Sequence, residues 1–277
     1  IDDMLHRFNV IHCNPALTPM TTGRMDSGAS IFLDSESSSL YRSMIGSLLY
    51  AAVCCRPDIS FAVGNLSKYM ARPQVQHMTA AKRVLRYLKG TRLHGLMFSA
   101  DSAESPLVGY SDADWAGETE TRLSTSGYLF VWNGTPVSWK AKLQSSVALS
   151  TAEAEYVSLC TAAQEAVFLR ALLKDLKLPV PEPTTINEDN QSCIALTNNM
   201  ISNARTKHID IRYHYTREKV ASGEICIKYC PTKNMLADIF TKPLNAPRHK
   251  ELCSILLKSS KSNLSSGSVE HNQGDRF

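Results

Sequence analysis

Between residues 106 and 141 three runs rich in β-branched and aromatic residues follow one another with no helical pattern between them: PLVGYSDADWAG (106–117), SGYLFVW (126–132) and PVSWKA (136–141). Asn133-Gly134 separates the second run from the third, a strong local signal for a tight hairpin. TAEAEYVSLCTAAQEAVFLRALLKDL (151–176) then supplies helix-forming sequence up to Pro179, long enough for about seven turns. A short strand around TTINEDN (184–190), a helix QSCIALTNN (191–199), a helix HIDIRYHYTREKVASG (208–223) closed by Gly223, and a strand EICIKYC (224–230) complete the series. NMLADIFTK (234–242) reads as the start of a last helix. Antiparallel strands followed by alternating helices and strands restrict this region to a mixed α/β sheet with covering helices.

Upstream the pattern is helical. LYRSMIGSLLYAAVCC (40–55), PDISFAVGNLSKYMA (57–71) and VQHMTAAKRVLRYLK (75–89) repeat at helix period, with Pro57 opening the second and Pro73 just ahead of the third, so a small helical subdomain is expected. The Ser/Gly/Asp-rich stretch 23–39 is predicted to be a linker or exposed loop, and the loop ADSAESP (100–106) marks the change of character. Beyond Lys258 periodicity and apolar content both stop, which predicts a disordered tail over 258–277. The expected division is therefore 1–100, 101–257 and 258–277.

Hydrophobic residues at 43% and charged residues at 20% are enough to bury a core and exclude disorder of the whole chain. A net charge of +4 is compatible with a polyanionic partner. The longest unbroken apolar stretch, Leu48 to Cys55, is far short of the roughly 20 residues of a membrane span, so no membrane partner is expected. The opening IDDMLHRF lacks a basic region followed by an apolar core, and the chain reads as a piece of something longer. Eight cysteines occur with no C-x-x-C pair, which points to a reducing compartment and no zinc site.

Four acids stand where such a sheet could gather them: Asp112 in the first strand, Glu155 early in the long helix, Asp189 at a strand's end and Asp238 in the last helix. Carboxylates sharing a site repel, and cations relieve the repulsion; hard oxygen ligands suit Mg²⁺ or Mn²⁺. Spacing alone does not select this quartet among 26 acidic residues. Asp114, two residues along the same strand, and Glu153, two residues before Glu155, are open alternatives.

The segments VGYSDADWAG (108–117), SGYLFVWNGTPVSWKAKLQ (126–144), ALSTAEAEYVSL (148–159), EDNQSCIALTNN (188–199), RTKHIDIRYHYTRE (205–218) and KNMLADIFTKPL (233–244) resemble, in order, the ribonuclease H region of copia-type retrotransposon Pol polyproteins. YRSMIGSLLYAAVCCRPDISFAV (41–63) and HMTAAKRVLRYLKGT (77–91) resemble the stretch of the same family that joins the reverse-transcriptase thumb to ribonuclease H. The resemblance covers roughly residues 1–257. It implies a five-stranded mixed sheet of the RNase H-like type with flanking helices, preceded by a helical remnant of the reverse transcriptase. It also implies an endoribonuclease cutting RNA in RNA–DNA hybrids with two Mg²⁺ ions, Mn²⁺ being an alternative.

On the matching positions the family acids fall on Asp112, Glu155, Asp189 and Asp238, which the resemblance implies are both catalytic residues and metal ligands. Asp112 would bridge the two ions, Asp238 would help hold the one that activates water, and Glu155 and Asp189 the other. Products would carry 3′-hydroxyl and 5′-phosphate ends. The remaining partners implied are the palm and fingers of the reverse transcriptase, and the implied location is intracellular, in a cytoplasmic virus-like particle or the nucleus. Two departures stand out. KYCPTKN (228–234) lacks the histidine that many ribonucleases H place before the last aspartate, and Glu188 adds a negative charge beside Asp189.

Contacts to a hybrid require phosphate and 2′-hydroxyl partners more than base readout. Arg122, Ser124, Thr125, Lys207 and His208 are the substrate-side candidates, with Lys140, Lys142 and Arg212 nearby in sequence. Lys82, Arg86 and Lys89 line one face of the third upstream helix, either for phosphates or as a solvated surface. Trp115, Trp132 and Trp139 read as packing residues, and Asp210, beside Lys207, His208 and Arg212, as an ion-pair partner. The competing function is a catalytically silent module that only grips template–primer for a separate polymerase; the presence of all four acids argues against it. A transposase or integrase lacks its zinc cluster here, and residues 1–100 lack the paired-aspartate hairpin of a polymerase palm.

Overall fold

A computed structural model describes residues 1–23, 31–98, 106–118, 120–180, 183–198 and 207–259, with the side chains of 198 and 207–213 left aside. Its centre is a five-stranded sheet built on the three consecutive runs seen in the sequence: β2 (Val108–Asp114), β3 (Thr125–Trp132) and β4 (Thr135–Leu143). β3 and β4 turn back on each other at Asn133 and Gly134, both at positive φ (48° and 74°), the combination a type I′ hairpin turn requires. β5 (Thr184–Glu188) and β6 (Ile225–Tyr229) add on the other side, giving the order β4-β3-β2-β5-β6 with the first two pairings antiparallel and the last two parallel. This is the mixed sheet with covering helices expected of an RNase H-like α/β fold.

Both faces of the sheet are covered, which is why YLFV in β3 is an unbroken apolar run and not an alternation. Tyr128 and Phe130 pack under α5 (Thr151–Asp175) with Tyr156, Leu159 and Ile186, while Leu129 faces the opposite side with Leu236, Phe240 and Leu252. Fully burying side chains of this size contributes roughly 1.5–3 kcal/mol each. α5 is long and apolar enough to cross a membrane, but 61% of that stretch is buried inside the molecule; its apolarity is accounted for by packing. α6 (Gln191–Asn198) and α7 (Lys207–Ala221) complete that layer, and α7 gives way to Gly223 at φ 74°, a left-handed stop for which glycine is suited.

The opposite layer corrects one expectation. NMLADIFTK does not form an α-helix; Thr232–Asn234 and Leu236–Phe240 are two 3₁₀ turns, and the following helix, α8 (Ala246–Leu256), was not anticipated. The second turn packs so closely on the sheet that a Cβ on Gly127 would lie 2.7 Å from Thr241 Cγ2 and 2.8 Å from Phe240 Cβ. α8 is capped by Asn245, which accepts from Arg248 N at 3.0 Å, with proline in its first turn.

The upstream helices are α1 (Asp2–Arg7), α2 (Ser35–Cys54), α3 (Ser60–Ser67) and α4 (Val75–Gly90) around a core of their own that includes Tyr41, Ile45, Leu48, Leu85 and Leu88. Of the expected linker 23–39, residues 24–30 fall outside the described residues; Asp34 instead caps α2 by accepting from Ser37 N at 2.7 Å, and Ser35–Ser39 are helical. The stretch 99–105 is likewise outside them, as is the expected tail except for Lys258 and Ser259. Those two residues form β7 and pair with β1 (His94–Gly95). Contacts to the helical unit are not sparse. Trp139 Nε1 donates to Ala52 O at 2.8 Å, Lys68 pairs with Glu118, and the buried Tyr87 hydroxyl lies 2.6 Å from Asp58 Oδ2 and 3.4 Å from Cys253 Sγ.

Candidate metal centre

Each acid reaches the centre by a different backbone device. β2 carries Asp112 into the middle of the sheet opposite Gly127 of β3. Ser150 caps α5 by accepting from Glu153 N at 3.2 Å, so Glu155 enters at the start of the second turn of a helix packed on β2. Asp189 follows the last residue of β5, and Asn190 Oδ1 accepts from Cys193 N at 3.0 Å to start α6 right after it. One carboxylate oxygen from each of Asp112, Glu155 and Asp189 lies within 4.8 Å of the others. Asp112 and Glu155 are buried, Asp189 half-buried.

The same geometry separates the alternatives. Glu153 Oε2 accepts from Leu149 N at 2.9 Å at the helix start, away from the cluster. Asp114 packs against Gly117, where a Cβ would lie 2.0 Å from its Oδ2, and lines a cleft of ≈ 620 Å³ with Lys68, Arg72 and Thr125. Neither belongs to the group of three.

Asp238 sits in the second 3₁₀ turn, and two cations face it: Lys242 Nζ at 2.6 Å from Oδ1 and Arg248 Nη2 at 3.3 Å from Oδ2. Lys242 Nζ is also 3.7 Å from Asp112 Oδ2, which in addition accepts a hydrogen bond from the Thr241 hydroxyl. Arg248 donates to Lys233 O and Met235 O at 2.7 and 3.2 Å, so the arginine holds the turn in place as well as its aspartate.

Burial dominates the electrostatics. It pushes the Asp112 carboxyl up to about 6, with Lys242 opposing and the Asp238 charge adding to the rise. Glu155 is also raised, first by burial and then by the neighbouring Glu188, and its Oε2 has no hydrogen-bond partner. Glu188 is fully buried, and burial raises it too; Asn190 N donates to its Oε1 at 3.1 Å while its Oε2 has no partner. Buried carboxylates with open oxygens are costly unless a cation or a proton meets them. A divalent ion fits this donor set: hard oxygens from separate elements, with Glu155 Oε2 buried and without a hydrogen-bond partner.

Sequence reasoning treated Glu188 only as added charge. The alternation in TTINE, with Thr184, Ile186 and Glu188 buried, placed it inward with the core. Lys242 and Thr241 lay within the motif NMLADIFTKPL without being singled out, and Arg248 has no local signal.

The substrate-side candidates are dispersed. Arg122 is exposed, at φ 55°, in the loop before β3, and Thr125 lines the cleft beside Asp114. Ser124 is fully buried, and its hydroxyl accepts from Ala116 N at 3.1 Å, which makes it a loop-pinning residue. The side chains of Lys207, His208, Asp210 and Arg212 lie outside the described residues. Lys140 and Lys142 are exposed on the edge strand β4. On α4, Arg86 Nε donates to Asn14 O at 2.7 Å and Lys89 Nζ to Cys13 O at 2.5 Å, so of that basic face Lys82 is the exposed member.

No family model matches the chain. Over 264 residues it is 40% identical to the Retrovirus-related Pol polyprotein from transposon TNT 1-94 of Nicotiana tabacum, a match covering 93% of this chain and 19% of that protein. Over 246 residues it is 40% identical to the Retrovirus-related Pol polyprotein from transposon RE2 of Arabidopsis thaliana, covering 88% and 16%. The chain belongs to the copia-type retrotransposon Pol polyproteins. It spans less than a fifth of the length of either relative, 19% and 16%. Over 129 residues it is also 53% identical to Secreted RxLR effector protein 161 of Plasmopara viticola, covering 47% of this Pol segment and 90% of that protein. Among solved structures, RNase H1 from the halophilic archaeon Halobacterium salinarum NRC-1 superposes with a TM-score of 0.38 at 15% identity, covering 50% of this chain and 95% of that one, too loose a likeness to assign roles to residues. The Pol segment carries an RNase H-like domain.

Proposed function

We propose that this Pol segment hydrolyses the RNA strand of RNA–DNA hybrids at the acid cluster, with two divalent cations, Mg²⁺ in preference to Mn²⁺, as its cofactors. The observation that carries the reading is the convergence of Asp112, Glu155 and Asp189 to within 4.8 Å while Glu155 Oε2, in a buried carboxyl, has no hydrogen-bond partner. Asp112, Glu155 and Asp189 would hold one ion, and Asp112 with Asp238 the other. When bound, such ions neutralise the carboxylates and polarise a phosphodiester toward attack by water.

The chain's own groups do the rest. Thr241 fixes the Asp112 carboxylate by a hydrogen bond, and Arg248 fixes Asp238 and the turn beneath it. The half-enclosed position of Asp189 leaves the cluster open toward solvent on one side, where a backbone phosphate could approach. Exposed Arg122 and the Thr125 strand edge, with Lys207 and His208 of α7, are proposed to meet the hybrid. We propose the division 1–100 as a reverse-transcriptase remnant and 101–257 as the nuclease, with the rest of Pol as partner, acting inside the cell in a virus-like particle or the nucleus.

A gel assay on a labelled RNA–DNA hybrid tests the reading. Cleavage in Mg²⁺ leaving 3′-hydroxyl ends, none in EDTA and none of single-stranded RNA, is the expected outcome. Tight hybrid binding without cleavage in Mg²⁺ or Mn²⁺ would support the silent binding module instead.

A further inference from the structure

The two halves of the acid cluster are not equivalent. Glu155 has an oxygen without a partner, and neither it nor Asp189 has a cation against it among the described contacts. Asp238 Oδ1 also lacks a hydrogen bond, but Asp238 has a cation within ion-pair distance of each oxygen, and one of them, Lys242, also leans on Asp112. Asp112 and Asp238 are 3% and 5% exposed in their side chains, and Lys242 is 34% exposed. The lysine thus reaches inward from the rim to two buried carboxylates.

Its position is built by the local chain. Lys242 lies four residues after Asp238 and directly after Thr241, the residue bonded to Asp112, and its own N–H donates to Asp238 O at 3.4 Å. Pro243 follows and restricts the backbone of Lys242 toward extended conformations. An exposed ion pair contributes little, but a pair whose acids are buried differs: taking the cation away leaves uncompensated charge in the interior.

We propose that Lys242 is a built-in cation of the centre, holding the place between Asp112 and Asp238 until a divalent ion displaces its ammonium. The proposal rests on the metal-ion reading above. It makes the ion held by Asp112, Glu155 and Asp189 the first to bind. The second then competes with a positive charge already seated on its ligands, so it enters weakly in the absence of nucleic acid. The displaced lysine has room to turn outward, because Asp114, Thr125 and its neighbour Pro243 line the open cleft next to it.

Calorimetric titration of Mn²⁺ into the whole chain without nucleic acid, with melting curves in EDTA, tests this. The parent protein is expected to bind one Mn²⁺ per chain well and a second weakly. Lys242→Met should tighten the second site by about tenfold or more, because a like charge a few ångströms away is removed. It should also lower the melting midpoint in EDTA, and Mn²⁺ should restore it. Lys242→Arg should behave as the parent, and Lys242→Gln serves if the methionine variant does not fold. Unchanged Mn²⁺ affinity and an unchanged EDTA midpoint in Lys242→Met would overturn the role of Lys242 alone. If the parent binds no Mn²⁺, or Asp112→Asn binds it as the parent does, the metal-ion reading itself falls, and this inference with it.

Discussion

Asp189 is the most exposed of the three clustered acids, and that makes it the cleanest residue to test. Asp189→Asn keeps shape and hydrogen-bonding capacity and removes the charge that would hold an ion. Loss of such a ligand should lower hybrid cleavage at least about a hundredfold, since each ~1.4 kcal/mol of transition-state stabilisation is a factor of ten. Binding in metal-free buffer should persist or tighten, because one negative charge is removed beside a polyanion. Asp210→Asn is the control, expected to keep most activity; cleavage at the parent rate by Asp189→Asn, or its loss in Asp210→Asn, would sink the assignment. At this scale the sequence placed Asp112, Glu155 and Asp189 in the right elements, while Asp238, expected in a helix, sits in a 3₁₀ turn; it left Glu153 and Glu155 open, because both stand within the first five residues of one helix. The fold separates them: Glu153 accepts from Leu149 N at the helix start, while Glu155 is buried beside Asp112 and Asp189. Glu188 was legible through strand alternation, whereas Arg248's role at the turn was not, since the groups it holds there are 10 to 16 positions away in irregular chain.

Among the elements, the 3₁₀ turn Leu236–Phe240 decides whether Asp238 and Lys242 reach Asp112, and Gly127 decides whether the turn can sit there. Gly127→Ala places a methyl within 2.7 Å of Thr241 Cγ2. The turn must lift, at an expected cost of about 1–3 kcal/mol, and cleavage should fall with it. Gly134→Ala is the contrast: its φ of 74° makes alanine strained, but nothing lies within 4 Å of the added carbon. It should lose about 1 kcal/mol of stability and leave cleavage per folded molecule unchanged. Urea unfolding with hybrid cleavage separates the two; equal losses of activity would argue against close packing at Gly127 as the determinant. The hairpin itself was readable because Asn-Gly between β runs has one good solution. The turn was not, since NMLADIF has helical composition and its geometry is set by the sheet it lies on. The start of α8 did carry its signal in Asn245 and Pro247.

For the whole molecule, the sequence separated two apolar cores by composition but gave no hint of what joins them. Arg56, Asp58, Tyr87 and Thr91 from the helical unit meet Cys253 and His249 of α8, and residues up to 166 positions apart leave no periodic trace. A protease site inserted at 99–105 should therefore yield two pieces that co-elute in gel filtration without denaturant; separation of the pieces would show that the buried network does not bind the units together. Global stability should also report the acid cluster. In the metal-free fold Asp112 keeps its proton up to about pH 6, mainly because it is buried, whereas its ordinary value is 3.8. Between those values the folded state binds more protons than the unfolded chain, so this group's contribution to stability falls as pH rises through the window and stays low above it. Glu155 and Glu188, raised by the same burial, carry the fall further upward. A divalent ion acts in the opposite sense, since it binds the ionised carboxylates and stabilises the fold more as they lose their protons. Melting midpoints from about pH 5 to about pH 8, in EDTA and in Mg²⁺, should then diverge, with the gap widening as pH rises and shrinking in Asp112→Asn. A gap that is constant across this range, or that Asp112→Asn leaves unchanged, would mean that the buried acids are not the seat of the metal response.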